Sequence, residues 1–231
     1  MMSSRPVAVI TGASRGIGAA IALELSPTYQ LVLLGRDEDA LRSVAQKCEY
    51  AQYHCLDITH PQQLAELAGT LQRVDVLVNN AGVAHFSPVV DTTWENWQSS
   101  FTVNVFAVAQ LTALLLPQLR SSHGDIIMIN SGAGKFSGPG MAVYAGTKHA
   151  LHALTVALRE EERGKVRVTA IHPGRVDTDM QRALQAGKAY DKSEHVSVQS
   201  IAKAVHFALE ATDECTVEEI NVRPVVKQVH G

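Results

Sequence analysis

The sequence predicts an α/β protein with a doubly wound parallel sheet of about seven strands and helices on both faces. Short apolar runs, often β-branched, alternate with longer helical patterns along the whole chain. The short runs are apolar almost throughout, as expected for parallel strands that are covered on both faces. No linker, charge block or internal repeat divides the chain, so we predict a single domain over residues 1–231.

Each element follows from a local pattern. The predicted strands cover residues 7–11, 30–35, 50–57, 75–80, 125–131, 166–173 and 218–224. The predicted helices cover residues 16–25, 37–47, 61–71, 94–116, 144–163 and 198–211. Pro61 stands at the first position of its helix, where its fixed φ and missing N–H are tolerated. Ligands of such sheets bind beyond the carboxyl ends of the strands, so functional residues are expected directly after each strand.

Composition limits the classes of partner. The chain is 46% hydrophobic and 19% charged with a net charge of −3, and its basic residues form no stripe, so we expect no nucleic-acid partner. The three cysteines lack metal-ligand spacing, so we predict no metal site and a reducing compartment. The sequence shows no leader pattern, and its longest apolar run, residues 105–117, is too short to span a membrane. We therefore predict a cytoplasmic protein with no membrane partner.

A glycine-rich stretch, "TGASRGIG", follows the first strand and opens a helix. Gly12, Gly16 and Gly18 permit a tight turn and let a phosphate approach the helix N-terminus. A single glycine would indicate only an ordinary turn, but three in this context favour a dinucleotide site. The spacing differs from Gly-x-Gly-x-x-Gly, and no lysine follows as in a nucleotide phosphate loop.

Two arginines favour NADP(H) over NAD(H). Gly35 and Arg36 follow the second strand, where an NAD site would have an acidic residue for the ribose hydroxyls. Arg15 in the glycine loop can reach the same place, and guanidinium groups match the oxygens of a 2′-phosphate. Either arginine alone would often be a solvated surface residue, and the neighbouring Asp37 keeps NAD(H) as the less favoured alternative.

Polar side chains also follow the later strands. Asp57 can accept from an adenine amino group, although a turn or capping role is equally expected. After the fifth strand comes Ser131, and on the next helix Tyr144 precedes Lys148 by one turn. A free phenol has a pKa near 10, and a cation within a few ångströms lowers that pKa. At i and i+4 the two side chains share a helix face, so together they predict an acid/base unit.

In these motifs the sequence resembles the short-chain dehydrogenases/reductases of the compact, single-domain type, which have a Rossmann-like fold. The resemblance runs from "VITGASRGIG" through "NNAG", "INSGAG", "YAGTK" and "HPGRVDT" to the last strand. It implies that Tyr144 is the general acid/base, that Lys148 lowers its pKa and holds the nicotinamide ribose, and that Ser131 orients the substrate carbonyl. It also implies that Asn104 seats a water of the proton relay.

The same resemblance implies a cofactor site made of the glycine loop, the ribose and adenine side, and the nicotinamide end. Its residues are Gly12, Ser14, Arg15, Gly16, Ile17, Gly18, Arg36, Asp57, Ile58, Asn80, Ala81, Gly82, Tyr144, Lys148, Pro173, Gly174 and Thr178. Arg36 occupies the position that marks NADP-preferring members. The expected reaction is the NADP(H)-dependent interconversion of a secondary alcohol and a ketone.

The expected small-molecule substrate is a small hydroxy acid, hydroxy amino acid or small ketone. The segment 179–196 after "PGRVDT" is short and polar, and the chain lacks the glycine-rich last strand usual in 3-oxoacyl thioester reductases, which remain an alternative. Further alternatives are a catalytically silent nucleotide-binding scaffold and a methyltransferase-type binder of another adenosine cofactor. The wide apolar surfaces of the two longest helices predict a homo-oligomer, either a dimer or a tetramer, of which the tetramer is favoured.

Overall fold

The computed structural model describes residues 5–185 and 190–226, and these form one seven-stranded parallel sheet. The strand order is β3-β2-β1-β4-β5-β6-β7, as predicted for a doubly wound sheet. The strands are β1 (Val7–Thr11), β2 (Gln30–Gly35), β3 (Ala51–Cys55), β4 (Val76–Asn79), β5 (Asp125–Ile129), β6 (Arg167–Pro173) and β7 (Glu219–Val222). The order reverses between β1 and β4, which places a crevice beyond their carboxyl ends.

Eight α-helices connect the strands among the described residues. They are α1 (Gly16–Leu25), α2 (Glu38–Ala45), α3 (Pro61–Thr70), α4 (Trp94–Phe101), α5 (Ala107–Ser122), α6 (Ala142–Glu161), α7 (Asp179–Leu184) and α8 (Val198–Leu209). Alternate residues of the central strands enter two separate apolar cores. In β1, Ile10 packs under α1 and α8, whereas Val9 packs under α3, α5 and α6. Both faces of the sheet are therefore covered, which explains the continuous apolar runs of the strands.

The region predicted as one helix over 94–116 is divided and longer than expected. Between α4 and α5 lies a π-helical turn, Thr102–Phe106, and α5 continues through Pro117 to Ser122. The helix ends where His123 adopts a left-handed conformation (φ 51°) and the Gly124 amide donates to the Leu119 carbonyl. The predicted end at residue 116 is thus six residues early, and Pro117 lies inside the helix, where it removes one main-chain hydrogen bond.

The helical run Trp94–Ser122 is long and apolar enough to cross a membrane by length and composition alone. Its 29 residues include an 18-residue window with a mean hydropathy of 1.6, of which 39% is buried within the molecule. The sequence prediction that no segment could span a membrane considered only residues 105–117, which are shorter than this helical run. The buried side chains Leu111, Leu115 and Leu119 pack against the sheet, as in a core helix.

Candidate active site

The glycine loop between β1 and α1 is shaped for close approach of a ligand to the main chain. Gly12 and Gly16 have φ values of +65° and +57°, in the region that favours glycine. A Cβ on Gly18 would lie 2.2 Å from the Gly12 carbonyl oxygen. The loop thus cannot accept larger residues, and α1 begins at Gly16 with main-chain amides that have no capping side chain. This cradle fits a pyrophosphate at a helix N-terminus.

Asn80 and Thr11 fasten this loop to the end of β4. The Asn80 side-chain amide donates to the carbonyl oxygens of Thr11 and Gly12, at 2.9 and 3.2 Å. The Thr11 hydroxyl accepts from the main-chain amides of Asn80 and Ala81, at 2.9 and 3.0 Å. Asn80 was predicted on the ribose side of the cofactor site. Its side-chain amide holds the glycine loop through these two carbonyls, and its place beside the ribose stays a prediction.

The two arginines expected near the adenosine ribose both reach solvent at the carboxyl edge of the sheet. The Arg15 side chain is 77% exposed and lies 4.0 Å from Asp179, whereas that of Arg36 is 71% exposed and lies 3.7 Å from Asp57. Asp37 caps α2, since its carboxylate accepts from the Ala40 amide at 3.0 Å. Asp37, the acidic residue that left NAD(H) as an alternative, is thus hydrogen-bonded to the start of α2, whereas the guanidinium groups of Arg15 and Arg36 remain exposed to solvent.

Asp57 lies beside this arginine but is itself part of a turn. Its Oδ1 accepts from the amide and the hydroxyl of Thr59, at 2.9 and 2.8 Å. Partial burial raises the pKa of this carboxyl, but the Thr59 hydrogen bonds and Arg36 outweigh burial and lower it overall. The turn role of Asp57 is thus observed, and its contact with an adenine amino group stays a prediction. Ile58 was predicted in the adenine pocket, but its side chain is buried in the core beneath α3, so only its main chain remains for a ligand.

Ser131 begins a short 3₁₀ turn, Gly132–Gly134, beyond β5. Its hydroxyl accepts from the Ala133 amide at 3.1 Å, and its carbonyl oxygen lies 3.1 Å from Nδ1 of the fully buried His172. The main chain at Ser131 is therefore fixed from both sides. A hydrogen bond also relates the Ser131 and Tyr144 side chains. The hydroxyl is positioned to share a substrate oxygen with the phenol.

Tyr144 and Lys148 lie on one face of α6, as the sequence predicts. The Lys148 ammonium is 5.9 Å from the centroid of the Tyr144 ring and donates to the Ile129 carbonyl oxygen at 3.0 Å. Burial raises the pKa of Tyr144, although the hydrogen bond with Ser131 acts in the opposite direction. Burial also lowers the pKa of Lys148 to about 8. The overall direction for the Tyr144 pKa is upward because loss of solvent dominates, and a lowering by the Lys148 ammonium stays a prediction.

Asn104 occupies the π-helical turn and holds the segment after β4. Its side chain accepts from the Val83 amide and donates to the Val83 carbonyl, each at 2.8 Å, and donates to Thr147 at 3.0 Å. A Cβ on Gly82 would lie 3.2 Å from Asn104 Oδ1 and 3.9 Å from Lys148 Nζ. The glycine thus lets the main chain pass between the asparagine and the lysine. π-Helical turns occur frequently at functional sites.

The nicotinamide end predicted after β6 lies next to the glycine loop. Thr178 Cγ2 would be 3.6 Å from a Cβ on Gly16, so the two segments face each other across the crevice. The Thr178 hydroxyl donates to the Val176 carbonyl and accepts from the Gln181 amide at the start of α7. Pro173 is the last residue of β6, and the Gly174 amide donates to the Val222 carbonyl at 2.7 Å. Thr178 is therefore a helix cap with its hydroxyl at the crevice.

Two residues at the site escaped the sequence analysis in whole or in part. The Phe86 ring lies 5.3 Å from that of Tyr144, between ring centroids, and is 39% exposed. From the sequence alone, a place in the pocket and core or rim packing are equally expected for Phe86. Arg223, beyond β7, was not singled out; its guanidinium covers Gly132, where a Cβ would lie 2.3 Å from Nη1. No sequence signal connects Arg223 with Ser131, because the contact joins residues distant in the chain.

Comparison with known proteins identifies the class that this fold and site define. Residues 6–189 match the short chain dehydrogenase family, and the chain belongs to it. An uncharacterized oxidoreductase of Staphylococcus epidermidis is 36% identical over 227 residues, covering 95% of this chain and 97% of that protein. A second, from Staphylococcus saprophyticus, is 34% identical over 231 residues with the same coverage. The protein is thus an oxidoreductase of this family.

Solved structures agree with that assignment over the whole chain. The alcohol dehydrogenase of the archaeon Thermococcus sibiricus, complexed with 5-hydroxy-NADP, superposes with a TM-score of 0.90 at 29% identity, covering 99% of this chain and 100% of that chain. A metagenomic short-chain oxidoreductase in complex with NADP superposes with a TM-score of 0.82 at 33% identity, covering 96% and 98%. Family membership removes the methyltransferase-type alternative.

Proposed function

We propose that the protein interconverts a secondary alcohol and a ketone with NADP(H), with Tyr144 as the acid/base. The observation that carries this proposal is the convergence of the Ser131 hydroxyl, the Tyr144 phenol and the Lys148 ammonium at the carboxyl end of β5. A silent scaffold of the same fold would not need these three groups together. That alternative therefore ranks second.

The cofactor assignment rests on charge and on available space. The glycine loop provides main-chain amides for a pyrophosphate, and Arg15 and Arg36 offer exposed guanidinium groups for a 2′-phosphate. Asp37 is engaged as the cap of α2, which weakens the case for NAD(H). The NADP complexes of the two similar structures support the same choice.

In the proposed mechanism the bound cofactor supplies or removes the hydride. For reduction, the Ser131 hydroxyl donates a hydrogen bond to the substrate carbonyl oxygen, and the Tyr144 hydroxyl donates its proton to that oxygen as the C–H bond forms. The Lys148 ammonium stabilises the resulting phenolate from the same helix face. Asn104 keeps the Val83 segment fixed beside Lys148. In the direction of oxidation the phenolate accepts the alcohol proton.

A small hydroxy acid, hydroxy amino acid or small ketone is the proposed substrate class. Phe86 offers an apolar surface beside Tyr144, and the exposed Arg223 cation, adjacent to Ser131 in space, suits a substrate carboxylate. The alcohol dehydrogenase similarity supports a secondary alcohol or ketone centre. A 3-oxoacyl thioester reductase remains the alternative within the enzymes.

We also propose that the chain forms a homo-oligomer in the cytoplasm. Phe106, the last residue of the π-helical turn before α5, is 59% exposed, and Val156 on α6 is 40% exposed, so both long helical segments present apolar side chains to solvent. Cys48, Cys55 and Cys215 are all free thiols, which fits a reducing compartment. Light scattering at micromolar concentration tests the assembly, and a monomeric mass would contradict it.

The function is tested first by thermal unfolding with NADPH or NADH, followed by turnover on small ketones and oxo acids. We expect a larger stabilisation by NADPH and oxidation of NADPH by at least one member of the panel. Equal stabilisation by both nucleotides would contradict the role of Arg15 and Arg36. Stabilisation by S-adenosylmethionine instead would contradict the redox proposal itself.

A further inference from the structure

A cluster of two histidines and one carboxylate lies behind Ser131, away from the proposed hydride-transfer chemistry. His152 of α6, His172 of β6 and Glu219 of β7 each direct one ligand atom into the same space, and these atoms all lie within 4.8 Å of one another. His152 Nδ1 is 3.7 Å from Glu219 Oε1, and His172 Nε2 is 3.9 Å from Glu219 Oε2. The imidazole rings meet edge to face with their centroids 5.6 Å apart.

The fold fixes this convergence. Ala170 pairs with Glu219 and His172 with Asn221, so His172 and Glu219 project from the same face of the sheet. α6 covers that face, and His152 follows Lys148 by one helical turn. The three ligand positions therefore come from three different elements, each held by the sheet or by its packing.

His172 is held in an orientation that suits a metal ligand. It is fully buried, and its Nδ1 lies 3.1 Å from the Ser131 carbonyl oxygen. Since a carbonyl only accepts, Nδ1 carries the proton and Nε2 presents a lone pair toward Glu219. Neither His172 Nε2 nor His152 Nδ1 has a hydrogen-bond partner among the described residues, although both atoms are buried. Buried polar atoms without partners are costly, so a ligand that satisfies both would be favoured.

We propose that His152, His172 and Glu219 form a Zn²⁺ site. Imidazole and carboxylate suit zinc, whereas Mg²⁺ and Ca²⁺ prefer all-oxygen sites. In a tetrahedral site with zinc bonds of about 2.1 Å, ligand atoms are separated by about 3.4 Å, close to the two imidazole–carboxylate distances of 3.7 and 3.9 Å. The proposal departs from the sequence prediction of no metal site, which considered only the cysteine spacing.

Lys135 competes for the same carboxylate. Its ammonium forms an ion pair with Glu219, and its side chain is 34% exposed, so it can move toward solvent when a metal binds. Removal of this cation should strengthen zinc binding, because the metal no longer displaces it. A purely structural role of the histidines would not produce that gain.

The test uses the purified full chain, freed of metal by a chelator, and titrated calorimetrically with Zn²⁺ or Mg²⁺. We expect one zinc per chain, no comparable Mg²⁺ binding, and an anomalous zinc peak between the three side chains in crystals. His152→Gln should weaken zinc binding at least tenfold, and Lys135→Met should strengthen it several-fold. His152 suits this test because its free Nδ1 makes no hydrogen bond that the substitution would break.

His206→Gln is the matched control. His206 also contacts carboxylates, with Nδ1 at 3.0 Å from Glu24 and Nε2 at 3.5 Å from Glu210, but these lie at opposite nitrogens and cannot surround one ion. Its substitution should leave zinc binding unchanged. The proposal is overturned if zinc does not bind, if the anomalous peak lies elsewhere, or if His152→Gln binds zinc as tightly as the wild type.

Discussion

The Lys148 ammonium lies 5.9 Å from the centre of the Tyr144 ring while it donates to the Ile129 carbonyl oxygen at 3.0 Å. The helix thus brings the cation to the phenol, and the end of β5 holds it there. Lys148 is buried and Tyr144 is half-buried, and loss of solvent raises the pKa of the phenol and lowers the pKa of the ammonium. Burial therefore favours the neutral form of each group.

Lys148 should make stability depend on pH in the alkaline range. Its pKa is about 8 in the folded chain and 10.5 as the ordinary value, so the unfolded state binds more protons between these limits and stability rises with pH. The stabilisation is complete above pH 10.5 and is lost as the pH falls through 8. At 1.36 kcal/mol for each pKa unit, the change amounts to about 3 kcal/mol.

Urea unfolding of the wild type and of Lys148→Met at several pH values checks this dependence. The difference in unfolding free energy between the two proteins should shift by about 3 kcal/mol in favour of the wild type from pH 8 to pH 10.5. Parallel pH profiles of the two proteins would show that Lys148 titrates normally.

Arg36→Ala should weaken the binding of NADPH much more than the binding of NADH. Loss of a charge-assisted contact with the 2′-phosphate should weaken NADPH binding about tenfold to a hundredfold, equivalent to about 1.5–3 kcal/mol. NADH binding should change little, because NADH lacks that phosphate. Arg42→Ala is the control, since Arg42 is engaged by Glu38 and Asp39 on α2. An equal loss of both cofactors in Arg36→Ala would contradict the assignment.

Gly18→Ala and Gly69→Ala should have opposite effects. The new methyl group of Gly18→Ala would lie 2.2 Å from the Gly12 carbonyl oxygen, so the loop must shift and both stability and NADPH binding should fall. At Gly69, in α3, a Cβ meets nothing within 4 Å, and alanine should stabilise the helix by about 0.5–1 kcal/mol. Thermal unfolding with and without NADPH measures both effects. A Gly18→Ala protein with unchanged cofactor binding would argue against the cradle.

Asn104→Ala should destabilise the fold and slow turnover together. The substitution leaves the partly buried amide and carbonyl of Val83 without their partner, at a cost of about 1 kcal/mol for each group. Asn96→Ala removes a capping-box contact on the surface of α4 and should cost less. Chemical unfolding of both variants ranks the two effects. If Asn96→Ala lost as much stability as Asn104→Ala, the special role assigned to the π-helical turn would be contradicted.

Local signals made most of the fold predictable. The glycines placed α1 at Gly16–Leu25, and Pro61 placed the start of α3, both as observed. The apolar runs predicted all seven strands, two of them with exact ends and the others with ends displaced by at most two residues. Helix α7 was missed, because it is a six-residue helix in a polar segment with no apolar period.

The site was predictable in its residues but less so in its interactions. The π-helical turn at Asn104 was hidden, since one extra residue in a long helix barely alters the apolar pattern. The engagement of Asn80 by the glycine loop, the cover of Gly132 by Arg223, and the cluster around His172 depend on contacts between distant segments. Motif order cannot reveal such contacts, and the pKa of Tyr144 depends on burial that only the folded chain defines.

The most direct test of the central claim is NADPH oxidation by Tyr144→Phe with a substrate that the wild type reduces. The variant retains the ring against Phe86 but lacks the proton donor, so turnover should fall about 10²- to 10⁴-fold with NADPH binding nearly unchanged. Tyr53→Phe, which alters a phenol on β3 that contacts Arg42, should retain full turnover. Near-normal turnover by Tyr144→Phe would contradict the assignment of Tyr144 as the acid/base.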